Sequence, residues 1–208
     1  MNREFADLFH LTNYFDKEYG ERIAYKFYKD GSVKSKTYHQ FTMDINGAAF
    51  YFHERNKENA RYPVALIGNS SYEWMVYYLG ILKSNNVAVP CNPLLSKEEL
   101  TDILNQVQVK YVLLGEKWYD YKEYILEHCK YLERVLFLQG DFEEITKTKG
   151  SIEVKINPEE ICQYAFTSGT TAGSKVVTYS YRNILSAIGP ERLTPFQLYD
   201  TNFSILPV

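Results

Sequence analysis

Between residues 164 and 184 the chain reads YAFTSGTTAGSKVVTYSYRNI. Thr167, Ser168, Thr170 and Thr171 gather hydroxyls around Gly169, Gly173 follows, and Lys175 adds a positive charge. Tyr164 to Phe166 reads as the end of an apolar strand, and a helix is expected to start near Tyr181-Arg182-Asn183. This combination suits a phosphate cradle. Glycines let the backbone turn its N–H groups inward, hydroxyls donate further hydrogen bonds, and the lysine offsets negative charge. The same donors would favour a departing pyrophosphate, whose charge grows as its bond breaks. A P-loop NTPase is excluded, because Walker A needs Gly, four residues, then Gly-Lys-Ser/Thr. Here Gly173 comes one residue too early, Ser174 precedes Lys175, and Val176 follows it in place of a hydroxyl.

No other constellation competes. Cys91, Cys129 and Cys162 lie more than 30 residues apart and are odd in number, which fits neither a disulfide framework nor a zinc site. His10, His39, His53 and His128 form no ligand pattern, so no metal-binding residue is assigned. Gly68-Asn69-Ser70-Ser71, after the first apolar run of the second half, lacks the GxGxxG of a dinucleotide fold, which argues against a nicotinamide or flavin enzyme. A net charge of −3 and a pI near 5.9 argue against a nucleic-acid binder. No apolar run approaches the ~20 residues that span a bilayer. The opening MNREFADLFH lacks the apolar core of a signal peptide. A reduced, cytoplasmic protein is expected.

The elements that must position the cradle are legible as a pattern. Residues 4–18 are expected to form an amphipathic helix. RIAYKFYKDGSVKSKTY follows, with alternating apolar residues around Asp30-Gly31, and reads as a β-hairpin. Its lysines interleave with aromatics and read as a solvated face. Thr37 to about Arg55 suits a second helix. From residue 62, apolar runs at 64–68, 87–90, 111–115 and 135–139 start 23 or 24 residues apart. Each gap holds one helical pattern, two of them opening on apparent capping boxes, Ser70 with Glu73 and Ser96 with Glu99. Such alternation implies βαβ units in an α/β fold: a mainly parallel sheet with helices on both faces, preceded by a helix and a hairpin. Residues 140–160 are expected to be loop with one edge strand near 151–156. The 208 residues divide into a helix–hairpin–helix part (1–60) and a βαβ sheet unit (61–208).

Taken together, these motifs resemble the AMP-forming adenylating enzymes, which include acyl-CoA synthetases and peptide-synthetase adenylation domains. The family's loop reads roughly Thr-Ser-Gly-Thr-Thr-Gly-x-x-Lys-Gly-Val, matched by Thr167-Ser168-Gly169-Thr170-Thr171, Lys175 and Val177. Ser180-Tyr181-Arg182-Asn183 is similar to the Ser-His-Arg-Asn that commonly follows. Upstream, Asn69 to Trp74, Leu79-Gly80-Ile81-Leu82-Lys83 and Val87-Ala88-Val89-Pro90 resemble further family stretches. The departures are Ala172 and Val176 for glycines, Ser174 for proline, Ser84-Asn85-Asn86 for a small-glycine turn, and Tyr181 for histidine. If position 172 requires positive φ, alanine there costs roughly 1–2 kcal/mol.

The resemblance implies an ATP-dependent ligase that joins a carboxylate to AMP, releases pyrophosphate, and passes the acyl group to coenzyme A. Thr167, Ser168, Gly169, Thr170, Thr171 and Lys175 would hold the ATP phosphates. A fatty-acyl or related acid is the expected substrate; an amino-acid-activating domain and a non-catalytic nucleotide-binding relative are the alternatives. The family's adenine, ribose and Mg2+ segments and its catalytic lysine would lie beyond Val208. The chain is therefore expected to be the N-terminal part of an adenylating domain, inactive alone, with no catalytic residue of its own.

Overall fold

A computed structural model of the chain describes residues 7–56, 60–167 and 175–187. Helix α1 (Leu8–Tyr19) starts on Asp7, whose carboxylate accepts from the His10 amide. Strands β1 (Ile23–Lys29) and β2 (Ser32–Thr37) form the expected antiparallel hairpin. Asp30 and Gly31 turn it, both at positive φ (52° and 72°), the backbone that a tight two-residue turn requires. Helix α2 (Tyr38–His53) opens on a reciprocal box between Thr37 and Gln40. The Phe27 ring stacks on Tyr72, and the Tyr25 ring packs edge-on against it. Lys36 reaches Asp44 at 2.8 Å. Aromatic contacts and two ion pairs, from Lys36 and Lys29, thus fasten the hairpin to the helices behind it.

The main sheet runs β6-β5-β3-β4-β7-β8. It comprises β3 (Pro63–Ile67), β4 (Val87–Cys91), β5 (Tyr111–Leu114), β6 (Arg134–Phe137), β7 (Ile161–Thr167) and β8 (Lys175–Ser180). All neighbours are parallel except β7 and β8. Side chains alternate between two cores, as strands buried on both faces must. Val64, Leu66 and Leu113 enter one core, and Ala65, Ile67, Val112 and Leu114 the other. Helices α3 (Tyr72–Lys83) and α6 (Phe142–Thr146) cover the first core together with α1 and α2. Helices α4 (Lys97–Gln106) and α5 (Lys122–His128) cover the second. Steps toward β7 therefore cross one face and steps toward β6 cross the other, which gives every crossover the same hand.

Two local expectations are corrected. Helix α3 is capped by Ser71, whose hydroxyl accepts from the Trp74 amide at 3.1 Å, and not by Ser70 paired with Glu73. One residue of shift places Glu73 in the first turn facing inward, 5% exposed and 3.4 Å from Lys29. Ser96 with Glu99 is a true box opening α4. The second correction concerns residues 140–160, expected as loop with one edge strand: residues 142–146 form α6, and 151–156 form no strand. Ile152, Val154 and Ile156 do alternate with exposed neighbours, but the stretch lies on the crossover from β6 to β7. It passes α2, where Thr148 donates to the Gly47 carbonyl at 2.8 Å and Gly150 abuts the Phe50 ring. Ile156 packs against the first core, so the alternation accompanies one-sided burial without a partner strand.

Candidate functional site

Because β3 to β7 are parallel, their carboxyl ends share one edge, where ligands bind in open α/β sheets. Strand β7 reaches that edge at Thr167 and β8 returns from it at Lys175. The two are direct partners in the antiparallel ladder. Both are exposed, so hydroxyl and ammonium flank the point where the chain departs and comes back. Ser168, Gly169, Thr170 and Thr171 lie outside the described residues, as does Ala172. Of the predicted cradle, the structure therefore places its two ends and brings them side by side. Val176, which stands where the family's loop has glycine, is an ordinary strand residue opposite Phe166. The non-glycine residues at positive φ among those described are Asp30, Asn85 and Gln108, so this departure imposes no backbone strain.

The Ser180-Tyr181-Arg182-Asn183 segment is structural. The Ser180 amide donates to Asn183 Oδ1 at 2.9 Å and the Asn183 amide donates to Ser180 Oγ at 3.3 Å. This reciprocal pair starts α7 (Tyr181–Ala187). Tyr181 is 1% exposed and donates its hydroxyl to the Leu82 carbonyl at 2.7 Å, at the end of α3. Burial pushes its pKa up, so it stays a neutral hydrogen-bond donor. Asn85, in the turn that replaces the family's glycine, has φ 63°, a conformation asparagine tolerates.

Several supporting residues carried no sequence signal. Tyr78 Oη on α3 donates to Gln163 Oε1 on β7 at 2.5 Å. Arg61, just before β3, donates to the carbonyls of Asn85 (2.8 Å) and Ile161 (2.6 Å) and stands 3.4 Å from Glu160. Lys83, inside a family-like stretch, proves to be buried against α1 and α2. Among the described residues no cluster of His, Cys, Asp or Glu could hold a metal ion, and no helix is long and apolar enough to cross a membrane. The three cysteines are free thiols.

A family model described as AMP-binding enzyme matches residues 14–208, and the chain belongs to that family. Among curated proteins, the polyketide synthase PksN of Bacillus subtilis (strain 168) is 23% identical over 156 residues, covering 74% of this chain and 3% of PksN. Two solved structures share the fold. The N-terminal domain of FACL13 from Mycobacterium tuberculosis has a TM-score of 0.74 at 20% identity, covering 85% of this chain and 45% of that one. A long-chain-fatty-acid-CoA ligase (FadD1) from Archaeoglobus fulgidus also has a TM-score of 0.74, at 21% identity, covering 89% and 39%. The chain thus spans a small part of PksN and less than half of either structure.

Proposed function

We propose that this chain forms part of the nucleotide-binding half of an ATP-dependent, AMP-forming acid–thiol ligase. In the reaction, a carboxylate oxygen attacks the α-phosphorus of ATP. The bond to the β-phosphate oxygen breaks, leaving acyl-AMP and pyrophosphate. A thiol sulfur then attacks the acyl carbon, loses its proton, and expels AMP. Thr167, Ser168, Gly169, Thr170, Thr171 and Lys175 hold the β- and γ-phosphates and stabilise the charge that grows on pyrophosphate. The observation that carries this reading is the Thr167–Lys175 pair at the carboxyl edge of the sheet, within a chain of the AMP-binding enzyme family. Mg2+ belongs to the same proposal. Its ligands lie outside the described residues, and no step here depends on its position.

Coenzyme A is the proposed thiol, in keeping with structural neighbours named as CoA ligases, and a fatty acid or related carboxylate the proposed substrate. The protein would work in the cytoplasm. The match to a polyketide synthase supports a second reading, in which the acceptor is a carrier-protein thiol. The test is ATP–pyrophosphate exchange by the full-length protein. Lys175→Ala and Thr170→Ala are each expected to slow exchange by ~100-fold or more. Unchanged exchange in both would overturn the assignment. Thioester formation with coenzyme A alone, against a carrier protein alone, decides the acceptor.

A further inference from the structure

The β7–β8 hairpin is joined to the sheet differently from every other strand. Strands β3 and β4 are in register along their whole length, from Pro63–Val87 to Ile67–Cys91, and β5 is fully paired on both sides. Strand β7 meets β4 in a single registered pair, Ala88 with Gln163, while its ladder with β8 runs from Ile161–Ser180 to Thr167–Lys175. The hairpin's own ladder is thus registered along its length, whereas β7 packs beside β4 with one registered pair. Side chains add to this junction: Arg61 donates to the Ile161 carbonyl at the start of β7, and Tyr78 reaches Gln163 further along it. Gln163 supplies the backbone pair and also accepts the Tyr78 phenol hydrogen at 2.5 Å. Tyr78 is itself stacked on Trp74, with ring centres 5.3 Å apart.

A β-bulge aims Gln163 at that partner. Residues 161 to 163 oppose only Ser180 and Tyr179, so Cys162 is the extra residue. Cys162 packs in the core beneath α3, and Gln163, the very next residue, also reaches α3. After the bulge normal alternation resumes, and Tyr164 and Phe166 face the opposite core. Gln163 and Thr167 therefore lie on the same side of the strand. Bulges next to active sites commonly re-aim a side chain in this way. Four residues at ~3.3 Å each put Thr167 roughly 13 Å from Gln163. A displacement of β7 at Gln163 would be carried along the strand to the Thr167–Lys175 end.

We infer that Tyr78 and Gln163 are a positioning pair for the ATP phosphates: their hydrogen bond sets the placement of the Thr167–Lys175 end of the hairpin. The inference rests on the proposed adenylation. Neither residue touches the nucleotide. Their loss should disturb ATP geometry and leave the carboxylate pocket alone.

The test uses the full-length protein with Tyr78→Phe, Gln163→Leu and Gln163→Glu, and Lys175→Ala as the control. Tyr78→Phe keeps the ring stack and drops the hydroxyl. Gln163→Glu keeps an acceptor for that hydroxyl. Tyr78→Phe and Gln163→Leu are expected to lower kcat/KM for ATP in pyrophosphate exchange by ~10-fold, a fraction of what a 1 Å misplacement costs. KM for the carboxylate should stay within twofold, and Gln163→Glu should recover most of the loss. Amide hydrogen exchange should quicken in β7 and β8 in Tyr78→Phe and stay unchanged in β3 and β5.

If Lys175→Ala is slow while Tyr78→Phe and Gln163→Leu match the wild type, the positioning role is wrong and adenylation stands. If Lys175→Ala is also unimpaired, the adenylation reading fails. Exchange protection in β7 and β8 that is unaltered in Tyr78→Phe overturns the positioning role whatever the activity.

Discussion

Lys83 is 3% exposed, yet its ammonium meets neutral groups: Thr12 Oγ1 at 2.6 Å, Asn46 Oδ1 at 2.7 Å and the Phe9 ring centre at 4.7 Å. Burial lowers its pKa from 10.5 to about 8, with the Asp7 charge acting the other way. Below pH 8 both the folded and unfolded chains hold the proton, and the folded one bears the desolvation cost. Between pH 8 and the ordinary lysine value only the unfolded chain holds it, so stability rises with pH through that window. Relative to Lys83→Met, the wild type should gain about 2 kcal/mol between pH 7.5 and 9.5 in urea unfolding, from a 1.5-unit span at ~1.4 kcal/mol per unit. Parallel pH responses would refute this. The residue was visible in the sequence as part of a family-like stretch. Its burial was not, because that depends on α1 closing over it.

Helices α2 and α3 approach closely at Gly80, where an added Cβ would lie 2.7 Å from Ala48 Cβ and 3.2 Å from the Ala49 nitrogen. Gly80→Val should force the pair apart and cost about 1–3 kcal/mol, read as a lower thermal midpoint. Retained stability would mean that the helices yield without penalty. Elements of this kind were the most legible part of the molecule. Asp30-Gly31 specified a turn by backbone conformation alone, and Ser96-x-x-Glu99 specified a helix start by local hydrogen bonds. The misreadings share one physical cause. Ser70 and Ser71 offer the same hydroxyl one residue apart, and tertiary packing of Glu73 and Trp74 chose between them. Residues 151–156 carry a strand's alternation, which one-sided burial satisfies without a partner strand. The two ends of the proposed cradle, Thr167 and Lys175, were marked by composition and spacing, whereas the Tyr78–Gln163 contact joins residues 85 positions apart and leaves no local trace.

At the scale of the molecule, both cores are fed by the same strands, so neither can dissolve while the other persists. The chain's two tryptophans report on them separately: Trp74 lies in the core under α3, and Trp118 packs against the other. Variants with one tryptophan each, Trp118→Phe and Trp74→Phe, should give fluorescence transitions in urea that become coincident once each variant's own stability change is subtracted. Leu66→Ala should lower both by about 2–5 kcal/mol. Residues 8–53 donate Leu8, Phe41, Ile45 and Phe52 to the first core, and we propose that they melt with the sheet. A separate early transition of Trp74 would instead divide the molecule into two units. Cys162 has a consequence for how the molecule is compared with its relatives. At 20–21% identity, an alignment can open or close a gap at the bulge at little cost in score. Each such choice reverses the inward and outward faces assigned to every residue from 163 to 167. Equivalence across this strand has to be read from side-chain direction, and letter-by-letter matching will pair an inward residue with an outward one.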